Sequence, residues 1–411
     1  MKTALYIFSI LLLWSLAGCR KDSDEAGASV FVRLFATDTS YLTGGAIQLA
    51  DENFFVYGFT PEDNEHPPLI IKCDAQGHIL WKKHLPADFH YCTIQVIAEK
   101  KLMAVGVVSS LSTAINVCEI NSDSGNIIDG TLRAYVVNEI KAGPLLRPKF
   151  EKNSTGDLTI AGTASVADTL IPFILHINPT GIADPMQLFN FNLPGVTSLM
   201  TKGLVANENG FTISGSTYNT DMPDTTRLVT FCLRLNTSYQ ELWRTVVTLP
   251  GESVTVTSLI ENESSVILTG AVKTGSYTNT AINDMVGTLY TQQLDLSGNL
   301  MEELRYVNYK NLAHAGELLS TADGGYIMAA TSNELSDIHL ISDSHVYLLK
   351  LDEHLQELWH REFDGFNAFT AVSVVQASDG GFLIGGYEHS GTYLYNMCLI
   401  KTDINGEIVM Q

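Results

Sequence analysis

Several absences narrow this 411-residue chain before any motif does. Beyond its first twenty residues it has no apolar run long enough to cross a bilayer. A sustained 3.6-residue period is missing too, which excludes an architecture of long helices. Basic residues are scarce, with 24 Lys and Arg against 45 Asp and Glu and a net charge of -21. Phosphate binding needs clustered cations, so this balance argues against nucleic acid as a partner. Acidity of this kind serves solubility first and suits a protein that must not adhere to anionic surfaces. Beyond the leader, Cys73, Cys92, Cys118, Cys232 and Cys398 are scattered, with no CxxC pair and no His-rich tract. That pattern predicts buried free thiols and neither a zinc site nor a disulfide framework. There is no GxSxG elbow and no HExxH pair, so neither serine hydrolysis nor metallohydrolysis has a signature here. Paired carboxylates for glycoside cleavage would come from distant parts of the chain and leave no local trace.

At the N-terminus, Met1 and Lys2 precede an apolar run from Ala4 to Leu16 and the string LAGC ending at Cys19. This is the pattern of a cleaved secretory signal. LAGC resembles the bacterial lipobox, which implies acylation of Cys19, removal of residues 1–18 as a signal peptide, and attachment to outer-membrane lipid. Two or more acyl chains give stable anchoring without a membrane-spanning segment. The following RKDSDE, with Lys21, Asp22, Asp24 and Glu25, resembles the export signal of Bacteroidetes surface lipoproteins. It implies that the protein faces the cell exterior on a tether over 19–29.

The remaining residues, 30–411, carry a repeat, and repeats take precedence in fixing a fold. One anchor is a short apolar run ending in a small residue: NFFVYG, KLMAVG, DLTIAG, GFTISG, SVILTG, GYIMAA and GFLIGG. Gly58, Gly106, Gly162, Gly215, Gly270, Ala330 and Gly386 end these runs, and a small residue inside a strand signals close approach of another backbone or sheet. The second anchor is a turn opened by Asp74, Ser122, Asn178, Asn236, Asp295, Asp352 and Asp403, where an Asx side chain can bond the backbone two residues on. Trp81, Trp243 and Trp359 follow three of these turns as wide groups for the wedge between sheets. The anchors alternate seven times. This predicts an all-β, seven-bladed β-propeller of four-stranded antiparallel blades, with Val30 to Phe35 completing the last blade and closing the ring. A linear solenoid is the competing architecture and would leave two edges open.

The units ASDGGFLIGGY with LIKTDING, and TADGGYIMAA with LLKLDEHLQELW, resemble those of bacterial extracellular propellers. Their second halves are also similar to the tryptophan-docking repeat of quinoprotein dehydrogenases and of an outer-membrane-assembly lipoprotein, although units two, three, five and seven lack the Trp. The resemblance implies fold, since propellers host unrelated activities. Long loops are expected over TPEDNEHPP, STYNTDMPDTTR, KTGSYTNTAINDM and SNELSDIHLISDSH, on a binding face. Between blades, His90, Tyr91, Asn138, Glu139, Tyr309, His314, Phe366, Asn367 and Phe369 are the candidate binding residues. Aromatic groups with amide and acidic neighbours suit a sugar ring or a protein hot spot. The string from Asn121 to Asp129 is loosely like a calcium loop but lacks its later carboxylate, so no metal, cofactor or catalytic residue is assigned. The expectation is a non-enzymatic surface protein that binds a protein or glycan. A carbohydrate-active hydrolase or lyase, and a periplasm-facing assembly scaffold, are the alternatives.

Overall fold

The computed structural model describes residues 30–35, 41–48, 52–60, 67–108, 111–142, 147–167, 169–191, 199–217, 229–247, 252–274, 286–310, 312–335, 341–366, 369–389 and 395–408. Among them the chain is all-β, and the only helical segment is a 3-10 turn at Ala87–Phe89. After β1 (Phe31–Phe35), the strands β2 (Leu42–Gln48), β3 (Phe54–Phe59), β4 (Leu69–Cys73) and β5 (Ile79–His84) form a four-stranded antiparallel meander. The next two meanders are β6 (Tyr91–Ala98), β7 (Lys101–Val107), β8 (Leu111–Asn121) and β9 (Arg133–Lys141), then β10 (Lys149–Lys152), β11 (Leu158–Val166), β12 (Thr169–Ile177) and β13 (Gln187–Leu188). These two merge into one eight-stranded sheet, because Lys141 and Ile140 pair with Thr163 and Ala164. Three further four-stranded sheets hold β14 (Leu199–Asn207) to β15 (Gly210–Thr217), β16 (Thr230–Leu235) and β17 (Glu241–Val247); β18 (Glu252–Glu261) to β19 (Ser265–Thr274), β20 (Val286–Asp295) and β21 (Leu300–Lys310); and β22 (Leu312–Ser320) to β23 (Tyr326–Leu335), β24 (Ile341–Leu351) and β25 (Glu357–Phe366). The last sheet has β26 (Phe369–Gln376), β27 (Phe382–His389) and β28 (Tyr395–Lys401), with β1 as its fourth strand. Phe31 lies opposite Lys401 and Phe35 opposite Met397, so the segment at 30–35 takes the place its alternation assigns it.

The first strands of successive groups touch in a cycle: β2 with β6, then β10, β14, β18, β22, β26, and β26 with β2 again. The second and third strands lie between two neighbouring sheets and are largely buried on both faces, with buried hydroxyls on β15 at Thr212, Ser214 and Ser216. All of Phe54–Phe59 and Leu69–Cys73 are buried, while five of the six residues of Ile79–His84 are exposed. Phe54 and Val56 pack towards the last sheet, and Phe55 and Tyr57 towards the second group. All five cysteines after Cys19 are buried and unpaired.

The repeat's small residues sit where the first strand bulges. Thr43 faces Gly58, Thr201 faces Gly215, Val256 faces Gly270 and Ala371 faces Gly386, each immediately before a register shift in the inner strand. A Cβ on Gly270 would stand 1.7 Å from the Thr255 carbonyl oxygen, and one on Gly215 1.8 Å from that of Met200. A bulge leaves backbone groups without ladder partners. The neighbouring sheet supplies them: Thr163 Oγ1 accepts from Thr201 N at 3.0 Å, Ser216 Oγ from Val256 N at 2.9 Å and Thr331 Oγ1 from Ala371 N at 2.7 Å. Each of these hydroxyls directly follows the small residue of its own sheet.

The turn anchors are Asx turns. Asp74 Oδ1 accepts from Gln76 N and His78 N at 2.9 and 2.8 Å, and Asn178, Asn236, Asp295, Asp352 and Asp403 repeat the arrangement. In the second group the residue is Asn121, one position before the expected Ser122. Its Oδ1 accepts from Asp123 N and Ser124 N, whereas Ser122 is buried with its N–H on Lys100 O. Asn121 is thus engaged as a turn former within the string that is loosely like a calcium loop.

Trp81, Trp243 and Trp359 dock on the turn of the following sheet. A Cβ on Gly125, Gly298 or Gly406 would meet the ring of Trp81, Trp243 or Trp359 within 2.8 Å, and all three glycines hold positive φ. Trp81 Nε1 donates to Asp123 O at 3.1 Å and Trp243 Nε1 to Leu296 O at 2.7 Å. In the DGG units a buried lysine ties the third strand to the hairpin before the second. Lys350 Nζ reaches Asp323 Oδ1 at 3.0 Å, and Lys401 Nζ reaches both oxygens of Asp379 at 2.8 Å.

One loop expectation is corrected. The stretch 332–345 is mostly strand, with Asn333 opposite Ser344 and Leu335 opposite Ile341, because β23 and β24 continue pairing beyond the apolar residues that mark them in the sequence. The segment 336–340, and most of the other three long loops, lie outside the described residues.

Candidate functional site: a charged cavity inside the strand ring

A bulge re-aims the extra residue of a strand, and here the bulges serve the middle of the ring. Lys202 is the extra residue between Thr201 and Gly203, Thr257 that between Val256 and Ser258, and Glu317 falls in the shift between Ala315 and Leu318. All three line a cavity of about 300 Å³, together with Gln95 of β6 and Lys149 and Glu151 of β10. In β10 the two-residue period puts Lys149 and Glu151 on the cavity side, while Phe150 between them is buried in the core between the second and third groups. Six of the seven inner strands contribute, since Val374 of β26 completes the wall.

The cavity concentrates charge. Lys149 Nζ lies 3.0 Å from Glu317 Oε1. Burial, with Lys149 and Arg147 nearby, lowers the Lys202 amine to about 8. Burial likewise raises the Glu151 carboxyl to about 7, against an opposing pull from Lys149. Arg147, just before β10, is anchored across the ring: its Nη1 donates to Gly44 O, and its guanidinium lies 5.6 Å from the ring centre of Phe59. Gly44 is the bulge residue of β2, and a Cβ there would stand 2.7 Å from that nitrogen. Groups whose affinity for protons is shifted in a concave site mark a functional candidate.

A second cleft of about 460 Å³ opens where β11 and β12 meet the turn after β16, lined by Asp157, His176, Asp184, Asn207 and Tyr239 among others. His176 is held between Asp157 at 3.3 Å and Asp184 at 2.9 Å, and Asp157 also accepts from Asn153 and Thr155. These groups are committed to one another. The central cavity is therefore the better candidate, despite being smaller.

Of the binding residues expected from sequence, His90, Tyr91 and Phe369 are buried. His90 is 1 % and Phe369 0 % exposed, and the Tyr91 ring packs edge-on against Phe59 at 5.6 Å. They build the wall behind the face, because the chain enters β6 and β26 at these very residues. Asn138 and Glu139 lie on β9, Tyr309 on β21, His314 on β22 and Phe366 on β25, with side chains outside the described residues. Asn367 and Cys19 are outside them altogether. Sequence reasoning missed Lys149, Glu151, Lys202, Thr257 and Glu317. The available signal was a break in period-2 alternation beside a small residue, as in TKG, TVTS and AGEL.

No family model matches this chain, and no curated protein matches its sequence. Solved structures do resemble it. Drosophila Semaphorin 2a superposes with a TM-score of 0.56 at 7 % identity, over 92 % of this chain and 75 % of that one. A polysaccharide lyase, Uly1, gives 0.50 at 10 % identity, with 94 % of each chain covered. A protein of unknown function from Dyadobacter fermentans gives 0.47 at 9 % identity, over 91 % and 99 %. At such identities the likeness shows fold alone, and the fold it shows is an all-β assembly of four-stranded antiparallel sheets of the β-propeller kind.

Proposed function

We propose that this chain is a seven-bladed β-propeller, lipid-anchored through Cys19 on the outer surface of the outer membrane, that binds a protein or glycan partner without transforming it. The seven-membered cycle of inner-strand contacts supports the propeller and binding parts of this reading, because it surrounds a polar cavity with side chains that the bulges aim inwards, and the anchorage rests on LAGC and RKDSDE alone. Rigid strands presenting a concave surface are the usual basis of a binding site. The eight-stranded sheet counts as two blades joined by two residue pairs.

Photo-crosslinking in living cells from Tyr309 and Asn367, read by mass spectrometry, tests the partner. A discrete adduct supports the reading. No protein adduct and no glycan captured by the purified chain defeats it. Proteinase K on intact cells should degrade the protein, and Cys19→Ala should release it from the membrane; resistance to the protease would favour the periplasm-facing scaffold.

One observation favours the enzyme reading as a second choice. An amine near 8 and a carboxyl near 7 share one cavity, and groups that titrate near neutrality suit proton transfer. Turnover of an acidic oligosaccharide, abolished in Lys202→Met and in Glu151→Gln, would establish it.

A further inference from the structure

We propose that the central cavity is a receptor site for one carboxylate-bearing sugar ring, a hexuronate unit, with the carboxylate held by Lys202 and Lys149 and the hydroxyls met by Thr257, Gln95 and Glu317. This rests on the binding reading above and names its ligand class.

Four features lead there. Lys149 and Lys202 line one cavity with Arg147 close by, so cations gather here inside a chain of net charge -21. Neutral hydrogen-bonding groups stand beside them: Thr257 Oγ1 donates to Gly316 O at 2.9 Å and so remains an acceptor towards the cavity, and Gln95 brings an amide. Two carboxyl groups, Glu151 of β10 and Glu317 of β22, line the same cavity. A bare inorganic anion would meet repulsion from them, whereas a sugar acid offers hydroxyl donors to a carboxylate and its own carboxylate to the lysines. The volume, about 300 Å³, is at the lower limit of small-molecule sites and suits about one ring.

The Lys149–Glu317 pair is easily exchanged. Its side chains are 25 % and 42 % exposed, and pairs of that kind hold together weakly. A ligand carboxylate can take over Lys149 while Glu317 turns to a ring hydroxyl. Lys202 gains most from the ligand, because an anion beside a desolvated ammonium restores its preference for the charged form. Among the described residues the charged groups around it include Arg147, Lys149 and Glu151 from the β10 segment and Glu317 from β22; β18 adds the uncharged Thr257.

The test is calorimetric titration of the purified mature chain with galacturonate and glucuronate, with galactose and glucose as neutral controls and sodium sulfate as an inorganic one. Saturable uronate binding is expected, with the neutral sugars and sulfate at least about tenfold weaker, in line with a charge-assisted bond lost or left without ring contacts. Lys202→Met should weaken uronate binding by about tenfold or more, Lys202→Arg should keep it within a few fold, and both should melt near the parent chain. Affinity should fall between pH 7 and 9 as Lys202 loses its proton. Uronate binding no better than galactose or sulfate, or unchanged in a folded Lys202→Met, overturns the inference. A crosslinked partner at Tyr309 that persists in Lys202→Met would then show that the binding reading stands without this site.

Discussion

The buried Lys401–Asp379 pair makes an unequal prediction for its two partners. The Lys401 side chain is 1 % exposed, and its ammonium donates to Asp379 Oδ1 and Oδ2 at 2.8 Å and to Thr402 O at 2.9 Å, which uses all three of its hydrogens. Asp379 is 30 % exposed and reaches water by itself. Deleting Asp379 strands a charge in the core with one acceptor left, a change that costs about 3–5 kcal/mol. Deleting Lys401 with an apolar group of similar length leaves a carboxylate that solvent can reach and that still accepts from Gly381 N at 2.9 Å, a loss of about 1 kcal/mol. Asp379→Ala should therefore lower the melting temperature several times further than Lys401→Met, although both remove the same ion pair. The double variant should recover most of the difference. Differential scanning calorimetry at one fixed scan rate decides it. Equal losses from the two single variants, or a double variant no better than Asp379→Ala, would refute the argument from burial.

The remaining expectations each follow from one contact or one titrating group. Gly270→Ala drives a methyl group onto the Thr255 carbonyl and should cost about 1–3 kcal/mol in chemical denaturation, as overpacking does. Ser216→Ala leaves the bulge N–H of Val256 without its acceptor and should cost about 1–3 kcal/mol, while Ser216→Thr keeps most of it. Tyr306→Phe removes the hydroxyl that donates to Leu355 O at 2.9 Å and should cost about 1 kcal/mol, measurable by the shift in denaturation midpoint. Glu151 has its folded-state carboxyl raised to about 7, so the native chain binds this proton more tightly than the unfolded one. Its contribution to stability is therefore complete below the ordinary glutamate range and is lost as pH rises towards 7. Glu151→Gln should flatten the decline in melting temperature over that window, and an unchanged slope would locate the dependence elsewhere.

The repeat was legible because each anchor has a local cause. An Asx residue bonds its own turn, and a small residue faces a bulge in the strand beside it, so both recur at a fixed spacing that one sequence can display. The off-by-one assignment at Ser122 shows the limit of that argument: Asn121 and Ser122 both suit a turn, and only the ladder register decides which side chain faces it. The cavity was less accessible. Lys149, Glu151, Lys202, Thr257 and Glu317 lie on four different strands, one or two per strand, and each looks like an ordinary polar residue in its own segment. Aromatic density pointed instead to His90, Tyr91 and Phe369, which the core claims because bulky rings at strand starts fill the wedge between sheets.

The incomplete tryptophan pattern has a structural resolution. Docking requires a flat group over the turn of the next sheet, often with one donor for a turn carbonyl, and indole is not alone in providing it. Tyr135 Oη donates to Gly181 O at 3.2 Å in the second group, and Tyr306 Oη donates to Leu355 O at 2.9 Å in the fifth. At the closing sheet the contact passes to β1, where Phe31 and Arg33 cover Gly77 and Arg33 Nη2 reaches Gln76 O at 3.3 Å. Leu355 and Tyr239 hold positive φ where other turns have glycine, and each brings a side chain towards the neighbouring sheet: Leu355 is 1 % exposed, and Tyr239, stacked on Phe211 of its own sheet at 5.1 Å, lines the cleft with Asp157 and His176 of the third group. Left-handed backbone at a non-glycine residue is disfavoured, so packing between sheets outweighs local preference at both positions. The joint is thus kept while the residue that makes it changes. It follows that the docking repeat reports how neighbouring sheets are fastened around the cavity lined by Lys149, Lys202 and Glu317.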